Sequence, residues 1–166
     1  MMEILIDTRE QLPWEFKSIK TSPKALKTGD YSLRFLDQDF DNDIALERKT
    51  LDDFVGCCGI HRKRFERELE RSMEMPHFFI IIEGSWKEIE MGYYHSKINP
   101  NSVIGSILSW QIKYGCHIIL AENRTRAKRL ALKIFENYLR NKVVKKKKKT
   151  GITPISSDSS RLSQLV

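Results

Sequence analysis

Five consecutive residues, Phe78-Phe79-Ile80-Ile81-Ile82, are apolar. In an extended chain such a run turns apolar side chains to both faces, so it fits a strand in the middle of a sheet that is covered on both sides. Pro76, just before it, stops any helix arriving from upstream. His117-Ile118-Ile119-Leu120 reads as a second buried strand. Around these two runs the apolar period lengthens to that of helices. A helix at about 62–75 carries Phe65, Leu69 and Met73. Another starts at Asn99-Pro100 and turns Val103, Ile104, Ile107 and Leu108 inward. The last, about 124–141, buries Ala127, Leu130, Ile134 and Tyr138. Strands separated by helices predict an α/β domain with a central mixed sheet flanked by helices.

The N-terminal part adds a strand at 3–7, a short segment between Pro23 and Gly29 with room for one helical turn, and two strands at about 30–36 and 43–49. The last two form a hairpin across the acidic connection Asp37-Gln38-Asp39-Phe40-Asp41-Asn42. Thr50 can cap a helix over about 51–57.

Charge separates the chain into two parts. The 166 residues carry a net charge of +7, but residues 142–166 hold seven basic residues and one acid, leaving 22 against 21 in residues 1–141. The folded unit is therefore expected over 1–141, with a basic, disordered tail over 142–166. A near-neutral body is no evidence of nucleic-acid binding, so that inference must rest on particular residues. No apolar run approaches the roughly 20 residues that span a bilayer, and no basic segment followed by a long apolar one opens the chain, so neither a membrane span nor a secretory signal is expected. Three cysteines, Cys57, Cys58 and Cys116, fit no disulfide framework or zinc site and point to a reducing compartment. The four histidines share no metal-ligand spacing.

Charged residues gather where strands end: Asp7-Thr8-Arg9-Glu10, Gly29-Asp30-Tyr31, Glu47-Arg48-Lys49 and Asp53. A hairpin turn centred near residue 39 or 40 sets Asp30 opposite Lys49 and residue 32 opposite Glu47. Strand alternation then puts Asp30, Glu47 and Lys49 on one face and turns Arg48 away. Two carboxylates beside a lysine suit metal-assisted phosphodiester cleavage, because Mg²⁺ takes one or two carboxylates plus substrate phosphate. Plainer readings stand beside this one. Thr50 to Asp53 fits a capping box, Gly29-Asp30 fits a turn, and Glu47 with Lys49 fits a strand-end ion pair.

In this order, Asp7-Thr8-Arg9-Glu10, Gly29-Asp30-Tyr31 and Glu47-Arg48-Lys49-Thr50-Leu51-Asp52-Asp53 resemble the D-x-R-E, G-D-Y and E-R-K-x-x-x-D elements of the XPF/Mus nuclease family. Arg64-Phe65-Glu66-Arg67-Glu68-Leu69, Phe79-Ile80-Ile81-Ile82-Glu83-Gly84 and Tyr114-Gly115 extend the resemblance over about residues 3–140. It implies a restriction-endonuclease-like core and Mg²⁺- or Mn²⁺-dependent cleavage of DNA at branches, flaps or forks, in repair, recombination or replication. Asp30, Glu47 and Asp53 would be the metal carboxylates and Lys49 the catalytic lysine. Asp7, Arg9, Glu10 and Arg48 would complete the catalytic set, with Arg48 contacting phosphate or holding the acidic cluster. Gly56-Cys57-Cys58-Gly59-Ile60-His61-Arg62 departs from the family's glycine-arginine loop, which leaves the DNA-contacting arginine open among Arg62, Arg64 and Arg67. Such domains generally dimerise, with a like or unlike partner, and the helices at 101–115 and 124–141 are candidate surfaces. Most carry a tandem helix-hairpin-helix module that this chain is not expected to accommodate. Lys145, Lys146 and Lys147 would add phosphate affinity in its stead. The alternative is a non-catalytic, nuclease-like DNA-binding or heterodimer subunit. The expected location is intracellular and nucleic-acid associated, in the nucleus for a eukaryotic or eukaryotic-virus protein and otherwise in the cytoplasm. A third reading makes the lysine run an address or membrane-surface signal of an interaction protein.

Overall fold

The computed structural model describes residues 1–149, with side chains through Lys142. Within it the chain forms β1 (Met2–Asp7), β2 (Lys20–Lys24), β3 (Tyr31–Phe35), β4 (Gln38–Asp39), β5 (Ile44–Thr50), α1 (Leu51–Cys58), α2 (Arg62–Ser72), β6 (His77–Glu83), α3 (Trp86–Glu90), α4 (Pro100–Tyr114), β7 (His117–Leu120) and α5 (Arg124–Lys149). The strands make one seven-stranded sheet in the order β2-β1-β3-β5-β6-β7, with β4 paired to β3. β1, β3 and β5 run antiparallel to their neighbours in that series. β1–β2, β5–β6 and β6–β7 are parallel. The sheet is mixed, as expected.

The run at Phe78–Ile82 is the spine of the fold. Ile80 and Ile82 are fully buried against α1, α2, α3 and α4 on one face. Ile81 is fully buried against α5 and the Trp14 loop on the other. Burying each such side chain stabilises the fold by about 1.5–3 kcal/mol, so the two-sided core is the main term joining sheet and helices.

Four local features differ from expectation. The segment before Gly29 contains no helical turn; Lys20–Lys24 is an edge strand, parallel to β1, with Pro23 opposite Ile6. Proline lacks a ladder donor and is tolerated at such an edge. The inward stripe of α5 is Ala127, Ala131, Phe135, Tyr138 and Leu139, leaving Leu130 and Ile134 half-buried at its margin. In α4, Val103 and Ile107 are buried, but Ile104 is half-buried and Leu108 exposed. α5 also continues to Lys149, past the boundary at residue 141. Residues 150–166, and the side chains of Lys145, Lys146 and Lys147, lie outside the described part.

The hairpin differs in register. β3 first turns back into β4 through Leu36 and Asp37, both with positive φ, the twist that a two-residue hairpin turn demands. The chain then folds over Phe40, whose carbonyl accepts from the N–H groups of Asp43 and Ile44, before β5 begins. The return strand is thereby displaced by two residues: Tyr31 pairs with Leu46. A displacement of two preserves the face of every side chain, whereas a displacement of one would have inverted it.

Candidate functional site

The register, with Tyr31 opposite Leu46, brings Asp30, one residue before β3, next to Glu47, and the two line one cavity beside the ends of β1 and β5. The Asp30 N–H donates to Leu46 O at 2.8 Å, and the Asp7 N–H to Asp30 O at 2.8 Å. Gly29 makes the approach possible. Its φ is +80°, and a Cβ there would lie 3.0 Å from both Ala45 Cβ and Leu46 O. Glu47 and Lys49 share the face covered by α1 and α2, and the Lys49 ammonium donates to the Glu47 carboxylate. The Lys49 Nζ also sits 5.3 Å from the centre of the Phe65 ring of α2. Together these residues wall a cavity of about 150 Å³, with Asp7, Arg9, Lys27, Thr28, Glu68 and Arg71 around it.

The electrostatics of the pair are unusual. Burial, and then the charge of Glu47, push the Asp30 carboxyl up to about 8, although the Arg48 N–H donates to its Oδ2 at 2.7 Å. Burial likewise raises the Glu47 carboxyl, with Lys49 opposing. Burial would depress the Lys49 ammonium, but Glu47 outweighs it and raises the net value. Two carboxylates thus share one lysine where desolvation disfavours both charges.

The other expected residues are placed as follows. Asp7 is buried and committed: it accepts from Arg9 N and Nε, at 2.9 and 2.7 Å, and from Leu26 N at 2.7 Å. Burial acts to raise it, but these hydrogen bonds hold its carboxyl below the usual range. Asp7 and Arg9 therefore brace the loop that delivers Asp30. Arg48 points to the opposite face, toward α5, where its Nε and Nη2 donate to Glu83 at 2.7 and 3.1 Å. Its Nη1 lies 3.5 Å from Glu10. Asp53 is exposed and accepts from Thr50 Oγ1 at 2.7 Å, while its N–H donates to the same oxygen at 3.2 Å, so it caps α1. No three His, Cys, Asp or Glu side chains among the described residues stand close enough to hold an ion together; Asp53 caps α1 but lines the same open cavity as Asp30.

A second, more open cavity adjoins the first, lined among others by Arg9, Glu10, Asp30, Lys49, Asp53, Cys57, His61 and Arg64. Of the three candidate arginines, Arg64 alone reaches it. Arg62 donates to Ser106 Oγ at 2.8 Å and lies over Trp110, tying α2 to α4. Arg67 is exposed and lines neither cavity. Sequence reasoning missed Phe65 and Glu68 as cavity residues. Their helical spacing was the available signal, because Glu68 stands one turn beyond the inward-facing Phe65.

The molecule is thus an α/β domain with a mixed sheet, helices on both faces, and two carboxylates beside a lysine at its strand ends. The chain belongs to the ERCC4 domain family, whose model matches residues 6–133, a span that includes every residue lining the two cavities. It is similar to a Methanocaldococcus jannaschii protein named for an ATP-dependent RNA helicase, 29% identical over 139 residues. That match covers 81% of this chain and 15% of the much longer relative. In fold it resembles XPF from Aeropyrum pernix, with a TM-score of 0.50 and 23% identity over 71% of this chain and 52% of that one. A structure of XPF from Aeropyrum pernix in complex with DNA matches with a TM-score of 0.58 and 19% identity, over 85% of this chain and 66% of that one. The fold is thus that of these XPF structures. Among the described residues no helix is long and apolar enough to cross a membrane.

Proposed function

We propose that the chain is a divalent-cation-dependent, structure-specific DNA endonuclease, acting on branched, flap or fork DNA. One observation carries the reading: Asp30, Glu47 and Lys49 line one cavity at the ends of β3 and β5, with the Lys49 ammonium donating to Glu47. The donor set fits Mg²⁺ or Mn²⁺. The two buried carboxylates have one lysine beside them, since Arg9 and Lys27 on the same wall are paired with Asp7 and Glu74, and hard oxygen donors are what these ions take. When bound there, such an ion neutralises phosphate charge and acidifies water.

The chain's own residues supply the remainder. Lys49, held protonated by Glu47, stabilises negative charge as it develops on the phosphate. Arg64 and Arg9, at the mouths of the cavities, meet neighbouring phosphates. Arg48 and Glu10 act from behind, keeping β5 in register with the preceding loop. DNA as the partner is supported by the likeness to an XPF structure that holds DNA. Cleavage of branched DNA would place the protein in repair, recombination or replication. A like or unlike copy of the domain has an apolar stripe available on α4, where Leu108 is 53% and Ile112 87% exposed.

The test incubates the protein with flap, fork, duplex and single-stranded DNA in Mg²⁺, Mn²⁺ or EDTA. Cuts near the junction that vanish in EDTA are expected. Binding to branched DNA without cleavage under any ion would instead favour the non-catalytic subunit.

A further inference from the structure

A further carboxylate, without a partner of its own, lines the cavity of Asp30 and Glu47. Glu68 projects from α2 three residues after Phe65, whose ring lies under Lys49, and it lines the same 150 Å³ space. It is half-buried, and among the described residues it forms no hydrogen bond or ion pair. Its acidic neighbours are placed otherwise. Glu66 accepts from Trp110 Nε1 at 3.0 Å and pairs with Arg62, and Glu74 pairs with Lys27 at 2.6 Å. Asp7, the other acid on the cavity wall, is fully engaged by Arg9 and Leu26.

Of the basic residues on the same wall, Arg9 is held by Asp7, Lys27 by Glu74 and Lys49 by Glu47, and Arg71 is exposed, so an unpaired carboxylate beside Asp30 and Glu47 leaves negative charge there that a divalent cation would relieve. Mg²⁺ and Mn²⁺ retain part of their water shell when bound by one or two carboxylates, so an acid too distant to ligate can accept hydrogen bonds from that shell. We propose that Glu68 is a positioning residue of the cation site: it acts through the water around an ion held by Asp30 and Glu47, and sets how tightly that ion is bound. The inference rests on the nuclease reading above and assigns to its cation site a residue on a helix.

The test is Mn²⁺ titration of the whole chain without DNA, by calorimetry or electron spin resonance, with melting temperatures in EDTA. Glu68→Gln should weaken Mn²⁺ binding by about 10- to 100-fold, the usual effect of removing an outer-shell partner. Its melting temperature in EDTA should equal or exceed that of the wild type, because repulsion is relieved. Glu70→Gln, the same charge change at an exposed position of α2, should leave Mn²⁺ affinity unchanged. Wild-type affinity in Glu68→Gln, an equal loss in Glu70→Gln, or a lower melting temperature of Glu68→Gln in EDTA would overturn the inference. Asp30→Asn separates the two levels. If it abolishes Mn²⁺ binding while Glu68→Gln does not weaken it, only the role of Glu68 fails. If the wild type binds no Mn²⁺, the nuclease reading fails with it.

Discussion

Arg48 and Lys49 are neighbours with the same charge, yet strand alternation sends them to different tasks. Lys49 enters the cavity and meets Glu47. Arg48 crosses to the other face and closes a buried network in which Glu83 also accepts from Trp14 Nε1 at 2.8 Å. Arg48 and Glu83 are each about nine-tenths buried, so Arg48→Ala strands a charge in the interior. It should cost about 3–5 kcal/mol in denaturant unfolding. A loss below about 1 kcal/mol, with activity abolished, would return Arg48 to a direct role at phosphate. This division of labour was legible in the sequence, since a period of two decides which side chains share a face. That Tyr31 pairs with Leu46, two residues from the expected register, was not, because the turn uses Leu36 and Asp37 at positive φ, where glycine or asparagine would have advertised it. For Asp53 the chain offered a cap and a metal ligand alike; the cap is formed, and the carboxylate also lines the open cavity beside Asp30.

At the level of elements, the strongest expectation was β6, and its two-sided burial is directly testable. Ile80→Ala and Ile81→Ala should each destabilise by about 2–5 kcal/mol, as both methyl-rich side chains leave cavities in separate cores. A sheet covered on one side only would leave one variant near wild type. β2 was invisible beforehand: Lys-Thr-Ser-Pro-Lys has no apolar period and contains a proline. It is fastened instead by charge. Lys24 bridges Asp39 and Asp41 at 2.7 Å each, and Arg34 holds the other oxygen of Asp39. Arg34 first and Lys24 second push the Asp39 carboxyl down to about 2. A carboxyl lowered on folding adds stability that is fully present above its ordinary value of 3.8 and disappears as pH falls toward 2. The stability advantage of the wild type over Asp39→Asn should therefore shrink between about pH 4 and 2, as read by denaturant melts. An advantage constant across that window would show that these ion pairs contribute nothing.

For the whole molecule, the nuclease fold could be read because its decisive signals are local: buried strands, helical stripes and charged residues at strand ends. The length of α5 was hidden by its own composition, since five consecutive lysines argue for a solvated, unfolded chain. The phosphate affinity expected of those lysines is tested on the whole protein with DNA. Replacing Lys145, Lys146 and Lys147 by Gln should weaken binding at low salt. It should also flatten the plot of log affinity against log salt by about 0.9 for each phosphate no longer neutralised, while leaving the position of cleavage unchanged. An unaltered slope would remove the tail from the DNA interface. The most direct measurement of the proposed chemistry is the single-turnover cleavage rate of Asp30→Asn and Glu47→Gln on saturating branched DNA in Mg²⁺. The opposed carboxylates predict a fall of at least about 100-fold in both variants, with DNA affinity retained. Cleavage at the wild-type rate in either would contradict a cation site built on these two residues.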